Sequence, residues 1–229
     1  MPWSQCRIED DSRQPVLNAP LAAVLLAASM PALYLLQTRL PDQGLGLAFE
    51  PASLWTGGWW PGLVGAMFVH AGWSHVAMNA IGALAFGTPV ARLLGPGRGA
   101  LVFLLFYLAC GIAASAGYAL LHADSHDALV GASGAVFGLM GAALRLLGRR
   151  KPGLRSLTDR RVLINSAVIM GLNAATGLVG FAPGMEGARI AWEAHAAGFV
   201  VGILLIGPLV RLTQGERFDS PPDLSDPPA

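Results

Sequence analysis

Six apolar stretches, residues 19–40, 74–94, 99–121, 133–147, 162–180 and 190–212, leave this chain few ways to fold. A helix needs roughly 20 apolar residues to cross the hydrocarbon core of a bilayer, and all but the fourth stretch are close to that length. Backbone N–H and C=O groups in lipid must find partners within the protein, which only helices and closed barrels achieve. Barrel strands are about ten residues long and alternate in polarity, whereas these runs are continuous. The composition agrees: 13% of the 229 residues are charged and 54% are apolar, against roughly 25% charged in soluble domains. The expected fold class is an all-α membrane protein, a bundle of six helices spanning residues 19–212. A polar tail, residues 1–18, precedes it, and a disordered Pro-rich tail, residues 213–229, follows. The first stretch reads as a retained helix rather than a cleaved signal, because the tail before it is long and partly acidic (Glu9-Asp10-Asp11).

Lys and Arg give the orientation. With the N-terminus inside, thirteen of the 15 basic residues fall on inner segments, and only Arg39 and Arg189 fall outside. The positive-inside rule then predicts both termini in the cytoplasm, as for a protein of a bacterial inner membrane. The first outer segment, residues 41–73, carries Trp55, Trp59, Trp60 and Trp73, and such a segment rests in the membrane interface as a partly embedded loop. A net charge of +1 offers no basic footprint, so no nucleic-acid partner is expected. Cys6 and Cys110 lie far apart, one in the polar tail and one in an apolar run, which argues against a disulfide framework.

Against this apolar background a few polar residues stand out. Ser133 lies in Val130-Gly-Ala-Ser-Gly-Ala-Val-Phe-Gly138, a small-residue turn that opens directly into a helix. A serine there is beside unpaired N–H groups and the positive end of the helix dipole, where an oxyanion would be stabilised. It could equally be the N-cap of its helix. That helix, residues 133–147, covers about 22 Å against a core of about 30 Å, so Ser133 ends below the outer lipid boundary. His195, in Ala191-Trp-Glu-Ala-His-Ala-Ala-Gly198, lies at the outer end of the last stretch. An ionisable residue inside a membrane helix points to function by default. Gly134 and Gly138 on one helix and Gly198 and Gly202 on the other form small faces that allow close backbone approach. If those faces meet, Ser133 and His195 come together, with histidine as general base for the hydroxyl.

His75 and Asn79 share a face at i, i+4 spacing, and both can donate a hydrogen bond to a developing oxyanion. His70 reads as a loop-packing residue. His122 and His126, with Asp124 and Asp127, read as a solvated outer connection. His70 and His75 have no accompanying carboxylate at helical spacing, so no metal site is expected.

The set His70-Ala-Gly-Trp-Ser-His75 with Asn79, Gly131-Ala-Ser133-Gly134, and Ala194-His195-Ala-Ala-Gly198 resembles the rhomboid family of intramembrane serine proteases in order, spacing and position on the second, fourth and sixth spans. The resemblance covers residues 19–212. It implies a rhomboid-like six-helix bundle with a Ser–His dyad and no cofactor. Ser133 would be the nucleophile and His195 the base. His75, Asn79 and the Ser133 N–H would form the oxyanion hole, with Gly131, Gly134, Phe137 and Gly198 in support. The fifth span would be a mobile lateral gate. Two departures stand out: Trp59-Trp60 replaces the Trp-Arg pair of the family's first loop, and Phe137 replaces a tyrosine one turn after the nucleophile.

No aspartate is placed to orient His195, and Glu193 faces another side of its helix, so the dyad is expected to be oriented by packing alone. The partners implied are the lipid bilayer and transmembrane protein substrates. Cleavage of a helical segment near the outer face requires unwinding, which favours small residues at the cut with Gly or Pro nearby. The oligomeric state is not legible. An inactive rhomboid-like protein that binds membrane helices would share the bundle but usually lacks the serine or the histidine. A transporter would need acidic relays that are missing here apart from Glu193.

Overall fold

The computed structural model describes residues 19–58, 60–148, 153–180 and 190–214. Among them every regular element is helical apart from one isolated bridge, Phe49 to Leu129. The long helices are α1 (Leu21–Gln37), α4 (Trp73–Leu94), α5 (Arg98–Leu121), α6 (Ser133–Leu144), α7 (Arg160–Val179) and α8 (Trp192–Gln214); the short α2 (Pro51–Trp55) and α3 (Gly62–Gly65) lie between α1 and α4. Four of these, α4, α5, α7 and α8, are long and apolar enough to cross a membrane, and α1 and α6 are shorter apolar helices. The molecule is an all-helical membrane bundle, as the apolar runs imply. The tail 1–18, Trp59, Arg149, Arg150, Lys151, Arg189 and residues 215–229 lie outside the described residues.

The helix ends depart from the expected spans by up to three residues, α1 being shorter at both ends, and two of these differences have a visible cause. α6 ends at Leu144, three residues early, and its 12 residues rise only about 18 Å. The reason lies in Arg145, where the chain turns. Its guanidinium donates to Arg155 O at 2.9 Å and to Ile203 O at 3.1 Å, tying the turn to α8. Arg155 in turn donates to Leu147 O, Gly148 O and the Asp159 carboxylate, each at 2.9 Å, so the turn's open carbonyls are satisfied. At the other end of the chain α8 continues two residues past 212, and the Thr213 hydroxyl donates back to Leu209 O.

α6 sits at the centre, packed on α4, α5 and α8, and its seam with α8 is made of backbone. A Cβ added to Gly198 would lie 2.1 Å from Gly134 O, and one added to Gly202 would lie 2.0 Å from Gly138 O. Gly134 and Gly138 are equally tight toward α5, where added Cβ atoms would fall 2.3 Å from Ala114 Cβ and 2.4 Å from Cys110 Cβ. Two small-xxx-small faces have met, and dispersion across so close an approach replaces the hydrophobic effect that lipid does not supply. Phe103, Phe106, Leu139, Ile206 and Val210 fill the core below the seam.

The segment between α1 and α4 is held by hydrogen bonds rather than by a Trp-Arg pair. Gln37 donates to His70 O at 2.8 Å and accepts from His70 N–H at 2.9 Å, both buried. The Asp42 carboxylate accepts from the N–H groups of Gly44 and Gly46 at 3.0 and 2.9 Å. Phe49 and Leu129 exchange backbone bonds of 3.0 and 2.8 Å, and Ala52 N–H donates to Ser125 O at 3.0 Å. The loop is therefore stitched to the chain that leads into Ser133. Trp55, Trp60 and Trp73 are each more than half exposed.

Candidate active site

Ser133 is the first residue of α6, and the N-cap position is Ala132, which makes no side-chain capping bond. The N-cap reading of Ser133 is thereby overturned. Its hydroxyl turns instead to α8, where Oγ lies 2.7 Å from His195 Nε2. The glycine seam sets this distance: each helix brings its polar residue to the mouth of the seam, one turn before its first seam glycine or beside it. Phe137, one turn after Ser133, stacks on the His195 ring with centroids 4.4 Å apart and planes 6° from parallel.

The imidazole has a further partner that the sequence reading missed. His195 Nδ1 lies 2.9 Å from Oδ1 of Asn173 on α7. The expectation of a histidine held by packing alone is thus corrected. Glu193, as expected, does not reach His195. Its Oε1 lies 3.3 Å from His122 Nε2, and the His122 ring packs on Tyr118 with centroids 4.3 Å apart. His122 is therefore a tie between α5 and the start of α8 rather than part of a solvated connection. His126 is exposed and pairs with Glu50.

Opposite Ser133 stand His75 and Asn79, both buried on the first turns of α4. The His75 Nδ1 accepts from Ala71 N–H at 3.4 Å, which leaves Nε2 to carry the ring proton. Asn79 Nδ2 is buried without a hydrogen-bond partner. A buried donor left unsatisfied costs about 1–3 kcal/mol, and such a group calls for an explanation. Gly131 lies against this pair. It has φ +116°, which side chains rarely adopt, and an added Cβ would lie 2.7 Å from His75 Nε2 and 3.8 Å from Asn79 Nδ2. Its N–H donates to Ala66 O at 2.8 Å, fixing the approach to Ser133. His70 packs edge-on against His75 with centroids 5.2 Å apart.

These groups line a cavity of about 850 Å³ that also takes in Met78, Gly82, Ser115, Asp127, Ile169 and Leu172. Its volume falls within the roughly 300–1,000 Å³ usual for ligand sites. Chemically it holds a hydroxyl bonded to an imidazole, N–H groups at a helix start, and two side-chain donors across a gap.

A polytopic helical membrane protein with a serine–histidine pair bonded at the floor of a cavity is the class these observations define. Residues 56–212 match the Rhomboid domain, and the chain belongs to the rhomboid family. It is 37% identical over 118 residues to the rhomboid protease GluP of Bacillus subtilis (strain 168), an alignment covering 51% of this chain and 22% of GluP. Similarity to YdcA of the same organism is 36% over 88 residues, 38% of this chain and 41% of YdcA. RHOMBOID-like protein 9, chloroplastic, of Arabidopsis thaliana is 34% identical over 114 residues, 50% of this chain and 24% of that protein. The chain thus aligns with less than half the length of each of these relatives.

Proposed function

We propose that this chain is an intramembrane serine endopeptidase that cuts membrane-spanning segments of single-span proteins near the outer face. The observation that carries the reading is the 2.7 Å contact of Ser133 Oγ with His195 Nε2, opposite an unpartnered Asn79 donor. The membrane domain is residues 19–212, with both termini cytoplasmic in a bacterial inner membrane, an orientation supported by the Lys and Arg bias.

In the first step the Ser133 hydroxyl gives its proton to His195 Nε2 as Oγ attacks the peptide carbonyl carbon. The carbonyl oxygen becomes an oxyanion held by the Ser133 N–H, His75 Nε2–H and Asn79 Nδ2–H; a single such donor is worth about 10²–10³ in rate. The C–N bond breaks, and the leaving amine takes the proton from the imidazolium. Water, deprotonated by Nε2, then attacks the acyl-enzyme and releases the second product. Asn79 keeps its unsatisfied donor because its partner exists only during reaction, which is how binding energy is directed to the transition state. A short α6 supports this scheme, because a helix rising about 18 Å falls short of a hydrocarbon core of about 30 Å, so the serine would end below the lipid boundary, where the cavity must admit solvent.

The test is labelling with a fluorophosphonate and cleavage of a purified single-span protein with small residues at the cut. Wild-type protein should label and cleave, and Ser133→Ala and His195→Ala should do neither, with activity down at least about 10³-fold. Equal labelling of wild type and Ser133→Ala would reject the protease reading in favour of a helix-binding one.

A further inference from the structure

α7 buries only two of its side chains, Val162 near its inner end and Asn173 well toward its outer end. The Asn173 amide meets two groups of α8. Its Nδ2 donates to Trp192 O at 2.8 Å, and its Oδ1 stands 2.9 Å from His195 Nδ1. A backbone carbonyl only accepts, so Trp192 decides which end of the amide is which. The amide oxygen then faces the imidazole, and it too only accepts. The ring proton must therefore be on Nδ1, which leaves a lone pair on Nε2. Nε2 is the nitrogen beside Ser133 Oγ, so the hydroxyl donates to it. That is the tautomer a general base requires.

We propose that Asn173 is the positioning residue of the Ser133–His195 pair, and that the base is competent only while α7 is docked against α8. The proposal rests on the protease reading above.

The attachment of α7 makes the dependence physical. Its inner end is anchored through Val162, which packs in a cluster with Leu144, Phe199 and Ile203, and Ile169 and Met170 in mid-helix pack against the same cluster. Its outer half meets α8 through Asn173 and through Gly177, where an added Cβ would fall 2.4 Å from the Trp192 side chain. Beyond these, Leu178 and Val179 are each 78% exposed. The cavity runs between Met78 and Gly82 on α4 and Ile169, Leu172 and Thr176 on α7. A polypeptide entering between those walls spreads them. A displacement of an ångström or two carries Asn173 beyond hydrogen-bond range of Nδ1. The ring is then free to change tautomer, and Ser133 loses its base. Chemistry waits until α7 returns over an unwound, narrow segment. A bulky helix that props α7 open is bound and not cut.

The test uses the full chain in detergent or bilayers, with a fluorophosphonate as probe and a single-span protein as substrate. Asn173→Leu keeps the size of the side chain and removes the acceptor. Asn173→Asp keeps an oxygen toward Nδ1 and removes the donor toward Trp192. The leucine variant is expected to label about 10–100-fold more slowly, with kcat falling by the same factor and KM within about twofold. The aspartate variant recovers most of that labelling. Nitrogen-15 spectra should show the His195 proton on Nδ1 in the wild type and shared between the two ring nitrogens in the leucine variant. Asn173→Ser, too short for either partner, replaces leucine should leucine unfold the bundle. Wild-type labelling in the leucine or serine variant overturns the proposal. So does a loss confined to KM and common to leucine and aspartate, because it marks a staple between helices. If wild-type protein labels no faster than Ser133→Ala, the protease reading falls and takes the proposal with it. The nitrogen-15 spectra still show whether Asn173 sets the tautomer, so the two failures are distinct.

Discussion

The α6–α8 seam and the α7–α8 contact lie on either side of His195 and could hardly be built more differently. At the seam, glycines bring backbone against backbone, and Gly198 and Gly202 leave no room for a methyl group. At α7 the contact rests on two buried side chains, on the partly buried Ile169 and Met170, and on one glycine, while most of the helix faces outward. The seam fixes the distance from Ser133 to His195 with groups that have no rotamers to lose. α7 contributes only an orientation, through one amide that can leave. On the protease reading proposed above, a site that must stay precise and also admit a polypeptide separates the two tasks between two walls.

The comparison breaks most visibly at the seam. Gly202→Leu drives a side chain into Gly138 O and is expected to destabilise the bundle by about 3 kcal/mol or more, the upper end for overpacking. Thermal denaturation in detergent checks it, and an unshifted midpoint would mean that the two helices are not in backbone contact. Gly177→Leu is the matched change on α7. It pushes the C-terminal half of that helix off Trp192, and the stability should fall little, by about 1 kcal/mol or less. Fluorophosphonate labelling should nonetheless slow about tenfold as Asn173 withdraws. Equal loss of stability in both variants would show that α7 is as firmly built in as the seam.

The smallest effect is expected at the N-terminal end of α7. Asp159 caps that helix by accepting from Arg161 N–H at 2.8 Å. The bond from the Arg155 guanidinium, then that from Arg161 N–H, holds its carboxyl below the usual carboxylate range. A lowered value in the folded protein means the contribution is full above the ordinary carboxylate pKa and fades as pH falls through the folded value. Hydrogen-exchange protection in the first turn of α7 should therefore fall as the pH drops below the ordinary carboxylate range, and Asp159→Asn should abolish that fall while leaving protection at the seam unchanged.

The sequence made the seam legible and α7 opaque, for the same structural reason. Gly134 and Gly138 on one helix, and His195, Gly198 and Gly202 on the other, are spaced by turns, so periodicity alone puts each set on one face, and Ser133 adjoins the first of them. His75 and Asn79 share that property on α4. Asn173 is a single polar residue in an apolar run, and its partner is 22 residues away across a connection. Helix rotation decides whether such a residue faces lipid or protein, and no local pattern reports that rotation. The His122–Glu193 tie, 71 residues apart, escaped for the same cause. The early end of α6 was hidden because it depends on Arg145 reaching α8, a contact that charge counting assigns to the membrane interface.

The paired bonds between Gln37 and the His70 backbone carry a consequence for the first helix. His70 begins the six-residue stretch that ends at His75, whose ring faces Gly131 across the gap. The amide of Gln37 therefore sets the height at which that ring is presented, although α1 contributes nothing to the cavity wall. α1 is a plinth for the His75 side of the cavity, and its influence on any chemistry there would be exerted from beneath, through main chain alone.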